Sequence, residues 1–272
     1  IAYNLFNALG TMSNKDYKKE IKNFDETNKS ELSKLGIRIG AMYFFVPNYL
    51  NNPLGNVLVE WGETIVSCSV NVERGVPVWL RNSRPAKGWL SAEYCMLPSS
   101  THTRTKRERG YASGRSQEIQ RLIGRSLRSV LDLSKCPEKS FIVDCDVLHA
   151  DGGTRTASIT GAWVALKLAV NRLLREGHLS EDPLSDAVAA VSVGYKGEDL
   201  FVDPNYSEDS TADLDMNVVM RESGKIQEIQ GTGERAGFDF QQINNITKVS
   251  QEVLLPIFEL QQAAVEGQTV ES

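Results

Sequence analysis

Asp151-Gly152-Gly153-Thr154-Arg155-Thr156-Ala157-Ser158-Ile159-Thr160-Gly161-Ala162 is the stretch on which the fold turns. It follows an apolar, strand-like run, Phe141 to Leu148. It leads into a helical spacing of Ile159, Ala162, Leu166, Ala169, Val170 and Leu173 that ends at Gly177 and predicts an amphipathic helix. Two glycines free the backbone to turn sharply. The residues after them open a helix whose first N–H groups have no partner within it. Thr154, Thr156 and Ser158 add hydroxyls, and Arg155 adds a planar guanidinium fork. Such a turn binds a small oxyanion, phosphate above all. Read more plainly, it is a strand-to-helix turn with a capping threonine.

Working outward, Asp144 and Asp146 share one face of the preceding strand, and Val143, Cys145 and Val147 the other. Upstream, Val57–Trp61 and Ile65–Val72 alternate with period two around Gly62-Glu63, which predicts a β-hairpin ended by Gly75-Val76-Pro77. Gly88–Tyr94 reads as another strand. Residues 101–114 form a basic loop broken by Gly110 and Gly114. Ile119, Leu122, Ile123, Leu127, Val130 and Leu131 then recur at helical spacing, with Arg121, Arg125 and Arg128 as a stripe on the other side. Downstream come two more hairpins, around Lys196-Gly197 and Ser223-Gly224, and a long C-terminal helix interrupted by Pro256. The pattern implies an α+β chain of mixed β-sheets and packed helices, in two halves of similar layout that suggest a ββαβ-type pseudo-repeat. Residues 1–35 are polar and weakly periodic, an extension before a single domain over 36–272.

Composition narrows the class. With 41% hydrophobic and 24% charged residues the chain suits a globular protein with a full core. No run approaches the roughly 20 apolar residues of a membrane span. Ile1–Met12 lacks a basic leader, so the expected compartment is the cytoplasm. Cys68, Cys95, Cys136 and Cys145 form no Cys-x-x-Cys pair and His102, His149 and His178 are scattered, which argues against structural zinc and for reduced, buried thiols. The net charge of −5 hides an uneven distribution. Arg104, Lys106, Arg107, Arg109, Arg115, Arg121, Arg125 and Arg128 fall in one short stretch opposed only by Glu108 and Glu118. A basic stripe of this kind binds a phosphate backbone or pairs with a neighbouring subunit.

Acidic residues gather at Glu208-Asp209-Ser210-Thr211-Ala212-Asp213-Leu214-Asp215-Met216-Asn217. Asp213, Asp215 and Asn217 alternate, so at a strand edge they face the same way. Crowded carboxylates repel unless a cation intervenes, and all-oxygen donors favour Mg²⁺ or Mn²⁺. The plain reading is a polar turn with an Asx cap. An oxyanion cradle, a hard-cation site and a basic stripe together suit chemistry at a phosphodiester or phosphoanhydride.

These residues carry a resemblance. Ser91-Ala92-Glu93-Tyr94-Cys95-Met96-Leu97-Pro98, Thr101-His102-Thr103-Arg104, Gly114–Ile123, Asp144-Cys145-Asp146-Val147, Ala150–Ala162, Glu208-Asp209-Ser210, Asp215–Met220 and Glu228–Glu234 resemble the ribonuclease PH family of phosphate-dependent 3′→5′ exoribonucleases, in order over about residues 55–265. The resemblance implies that Arg115, Gly153, Thr154 and Arg155 hold inorganic phosphate as co-substrate. It implies that Asp209 and Asp215 are catalytic and bind Mg²⁺ or Mn²⁺, and that Asn217 lies on the ligand side. It further implies that Arg104 and Arg107 meet RNA, that the substrates are 3′ ends of tRNA precursors, and that the chain assembles as a hexameric trimer of dimers. The alternative is an inactive RNA-gripping ring subunit of an exosome-like assembly. The family's opening Arg-Pro-Asp-Gly-Arg is missing, with Gly36-Ile37-Arg38-Ile39 and the aromatic Met42-Tyr43-Phe44-Phe45 in its place.

Overall fold

Period-two alternation builds two five-stranded sheets. The computed structural model describes residues 38–39, 43–108, 110–233 and 237–267, so the polar extension expected over 1–35 lies outside the described residues. Strands β1 (Arg38–Ile39) and β2 (Tyr43–Pro47) come first. The expected hairpin is β3 (Gly55–Trp61) and β4 (Thr64–Arg74). β5 (Trp89–Met96) and β6 (Lys139–His149) complete one sheet, in the order β2-β3-β4-β6-β5. Val66, Cys68 and Val70 of β4, with Phe141, Val143, Cys145 and Val147 of β6, point into the core. Asp144 and Asp146 stay half-buried on the opposite face, as the alternation predicts.

β5 and β6 are parallel, which demands a crossover that a tight turn cannot make. Helix α1 (Gly114–Arg128) supplies it. Gly114 proves to be its first residue rather than a breaker, because the Ser113 side chain accepts the Ser116 amide and caps the helix. The aromatic cluster before the first hairpin is itself a strand. β2 pairs antiparallel with β3, and Phe45 is buried in the core cluster.

The second sheet runs β1-β8-β7-β9-β10, with β7 (Val188–Lys196), β8 (Asp199–Val202), β9 (Leu214–Arg221) and β10 (Ile226–Gly233). Both hairpins expected here are present. The two halves share a layout but not every connection. β9 and β10 are antiparallel and need only the Ser223-Gly224 turn, whereas β5 and β6 need a helix.

Helix α2 (Thr154–Arg175) lies between the sheets. Its expected amphipathic character is not seen. Apolar and small polar residues are buried around nearly its whole circumference, because β3 and β4 cover one side and β7 and the long helix α4 (Phe240–Glu266) press on the other. Hydrogen bonds cross this seam. The buried Gln261 of α4 donates to Thr160 O (2.9 Å) and Val188 O (3.2 Å), and Ala190 N donates to the Thr160 hydroxyl (3.1 Å). Among the described residues no helix is long and apolar enough to cross a membrane.

Candidate active site

The Gly-Gly turn sits where β6 hands over to α2. Gly153 is the residue preceding the helix and has a left-handed backbone, φ +67°. A Cβ there would sit 3.0 Å from Asp203 Oδ1 and 3.1 Å from the Thr156 hydroxyl. Gly152 is tighter still, since a Cβ would meet Pro204 O at 1.7 Å. Both glycines are required because the β8–β9 connection passes directly against the turn. Polar contacts hold it there. Tyr206 N donates to Asp151 Oδ1 (2.7 Å), the Thr64 hydroxyl to Gly152 O (2.7 Å), and the buried Trp61 indole to Asp203 Oδ2 (2.6 Å).

No side chain caps α2, so the expected capping threonine is absent. Thr154 instead lies 2.9 Å from the hydroxyl of Tyr94, a β5 residue only 2% exposed. Thr156 and Ser158 do not add to the anion site as expected. Their hydroxyls bond back to Gly153 O (2.8 Å) and Thr154 O (2.7 Å), a local alternative open to any Ser or Thr inside a helix. A cradle here would therefore draw on backbone N–H groups, one threonine hydroxyl and two arginines. Arg115 is exposed on the first turn of α1, and Arg155 is half-buried on the first turn of α2. Burial pushes the Tyr94 phenol up, while its Thr154 partner and the positive charges of Arg115 and Arg155 pull it down. The charges of both arginines thus reach the hydroxyl pair, in the region where unpaired helix N–H groups favour negative charge.

The acidic stretch arrives from the second sheet. Helix α3 (Tyr206–Asp209) is closed by a capping box between Asn205 and Glu208, and it ends at the half-buried Asp209. Asp215 lies on β9, opposite Gly194 of β7 and Thr232 of β10, and accepts the Ser192 hydroxyl (3.0 Å). β9 is flanked on both sides, so Asp215 and the buried Asn217 belong to an interior strand and not to an edge. Asp213 is drawn off to the neighbouring hairpin, where it accepts the Gly197 amide (2.8 Å). Among the described residues no three His, Cys, Asp or Glu side chains gather as a metal site. The donors here are carboxylates without thiolate or imidazole, which fits Mg²⁺ held by one or two protein oxygens and completed by substrate phosphates and water.

The basic stripe is divided by packing. Arg125 pairs with Glu228 of β10, and Arg128 donates to Leu90 O (2.8 Å) while lying 4.7 Å from the centre of the Trp89 ring. These two arginines fasten α1 to its surroundings. Arg104 and Arg107 remain exposed on the loop after β5, which Thr105 N pins to Pro98 O (3.0 Å), and Arg109 lies outside the described residues. Sequence reasoning missed Tyr94, Ser192 and Gln230 as neighbours of the site. Tyr94 and Gln230 stand inside the quoted motifs, but nothing in their spacing shows which side chain they touch.

The two-sheet fold around a sandwiched helix can be set beside known proteins. The chain belongs to the 3′ exoribonuclease family: the family's domain 1 matches residues 43–170 and its domain 2 matches residues 186–253. The match begins upstream of residue 55, so β2 is part of it. Within the family, the chain is 46% identical over 250 residues to ribonuclease PH of Bacillus pumilus, covering 91% of this chain and 99% of that protein. It is 49% identical over 221 residues to ribonuclease PH of Neisseria meningitidis serogroup C, covering 80% and 90%. In fold it is similar to a chain of the Archaeoglobus fulgidus exosome solved with RNA bound to the active site, with a TM-score of 0.68, 24% identity, and 80% and 87% of the two chains covered.

Proposed function

We propose that this chain is a phosphate-dependent 3′→5′ exoribonuclease that trims RNA one nucleotide at a time, with tRNA precursor 3′ ends as substrates and a hexameric trimer of dimers as the working assembly. The observation that carries the reading is the Tyr94–Thr154 hydroxyl pair at the uncapped start of α2, with Arg155 on the first turn of that helix and the charge of Arg115 reaching the pair. Inorganic phosphate sits there, held by the two arginines, the Thr154 hydroxyl and the N–H groups after Gly153. One of its oxygens attacks the phosphorus of the terminal phosphodiester. The bond from that phosphorus to the 3′ oxygen of the preceding nucleotide breaks, the 3′ oxygen takes a proton, and a nucleoside diphosphate leaves. A diester is exchanged for an anhydride, so excess nucleoside diphosphate drives the reaction backwards.

Asp209 and Asp215 are the residues that would hold Mg²⁺ or Mn²⁺, which when bound neutralises charge on the scissile phosphate. One of the two aspartates delivers the proton to the departing oxygen. Arg104 and Arg107 guide the RNA strand. The rival reading, an inactive ring subunit, would have no use for a cradle that discriminates phosphate.

The test is a 3′-extended RNA incubated with and without phosphate. Arg155→Ala should lose phosphate-dependent trimming by about 10²–10³ in rate while melting normally. Asp209→Asn and Asp215→Asn should lose turnover yet keep RNA binding, and EDTA should stop the reaction until Mg²⁺ or Mn²⁺ is restored. Wild-type trimming by Arg155→Ala at low phosphate would overturn the assignment.

A further inference from the structure

Arg155 does not stand alone at the turn. Its guanidinium donates to Gln230 Oε1 on β10 (3.4 Å) and lies 3.5 Å from Glu118 of α1. The Gln230 amide donates in turn to Glu228 Oε1 (3.2 Å), and Glu228 receives Arg125 of α1, whose Nε lies 3.2 Å from Oε2. The chain Arg155–Gln230–Glu228–Arg125 therefore runs from the start of α2 across the outermost strand of the second sheet and back to the last turn of α1. Register places Gln230 opposite Asn217, two residues along β9 from Asp215. The same strand pair thus carries Asp215 and orients Arg155.

We infer that Gln230 is a positioning residue for the incoming phosphate, held by Glu228 and Arg125 and acting through Arg155. The inference rests on the proposed function. An arginine has several rotatable bonds, and a guanidinium grips a phosphate well only when its planar fork is held in place. The Glu118 contact is too exposed to do this alone, with the carboxylate side chain 53% accessible, and exposed pairs contribute little. Gln230 and Glu228 are better placed, since Glu228 is largely shielded. The amide also suits its position chemically. It accepts from Arg155 without adding a negative charge beside the arriving anion, and the carboxylate that anchors it lies one link further out.

The experiment compares phosphorolysis and its reversal. Gln230→Met keeps the side-chain length and removes both hydrogen bonds. The Michaelis constant for phosphate should rise about tenfold, as for loss of one hydrogen bond to a charged group, with kcat, the constant for RNA and the melting temperature little changed. The β-phosphate of the nucleoside diphosphate occupies the same cradle in reverse, so its constant should rise by the same factor; a purely structural role would not move these two constants together and spare that for RNA. Glu228→Ala should shift both in the same direction by a smaller factor. In an Arg155→Lys background, whose ammonium has no fork to orient, Gln230→Met should have no further effect. Unchanged phosphate and nucleoside diphosphate constants in Gln230→Met would refute the inference, as would an undiminished effect in the Arg155→Lys background. If Arg155→Ala itself left the phosphate dependence intact, the proposed function would fall first.

Discussion

Replacing Gly152 with alanine tests how the two halves of the molecule are held at the site. The new Cβ would lie 1.7 Å from Pro204 O, 2.9 Å from Pro204 C and 3.2 Å from Asn205 C, against an ordinary contact of at least 3.4 Å. All three are backbone carbonyl atoms and none belongs to a flexible side chain, so the connection over residues 203–206 must retreat by more than an ångström. The Tyr206 N–Asp151 Oδ1 bond at 2.7 Å cannot survive that retreat. Loss of a hydrogen bond to a carboxylate costs about 1.5–3 kcal/mol. Overpacking adds about 1–3 kcal/mol. For a protein of this size a loss of about 2.5–6 kcal/mol lowers Tm by roughly 5–24 °C. The catalytic effect should be larger than stability alone explains. The same connection carries Asp209, and a misplacement of about 1 Å at a reacting group can cost about 10²-fold in rate. Gly153→Ala makes the useful contrast. Its left-handed φ of +67° and contacts of 3.0–3.1 Å call for a strain of about 1–2 kcal/mol and a shift of a few tenths of an ångström. Differential scanning calorimetry and single-turnover phosphorolysis well below each variant's Tm would separate the two effects. A Gly152→Ala enzyme within twofold of wild type, or one less impaired than Gly153→Ala, would show that close approach of the 203–206 segment does not set the site.

Two further perturbations address charge. Burial, with the nearby Glu93 and Asp146 carboxylates, holds the Asp144 carboxyl above its ordinary 3.8, so the folded state favours its protonated form and the charged form costs stability as pH rises through the raised pKa. Asp144→Asn should therefore melt above wild type at pH 7, with the gain closing as pH falls toward 3.8; a variant that melts lower at pH 7 would contradict this. Arg104→Ala combined with Arg107→Ala should weaken RNA binding and flatten the fall of affinity with salt, because fewer counterions are released. An unaltered salt slope together with a dissociated oligomer would assign these arginines to a subunit contact instead.

The strands from β3 onward, helix α1 and the Gly-Gly turn were legible in the linear chain because each is written in near-neighbour spacing, whereas β1 and β2 were not. Alternation at i, i+2 sorted Val143, Cys145 and Val147 from Asp144 and Asp146, and β6 buries the first set as expected. The motif at 150–162 marked the sharp turn before α2, since left-handed backbone and close approach both demand glycine. Tertiary structure decided what those residues touch. Sheet order and α2's double-sided cover could not be read from its sequence, because one apolar stripe looks the same whether one layer or two will bury it. Thr154 meets Tyr94 across 60 positions, Arg155 meets Gln230 across 75, and Arg125 meets Glu228 across 103. A periodic pattern reports which side of an element seeks the core and carries no information about the element it will face. The division of the arginines between those that anchor α1 and those that stay exposed, and the diversion of Asp213 to a hairpin while Asp215 stays in the interior strand, were set only when two sheets closed around one helix.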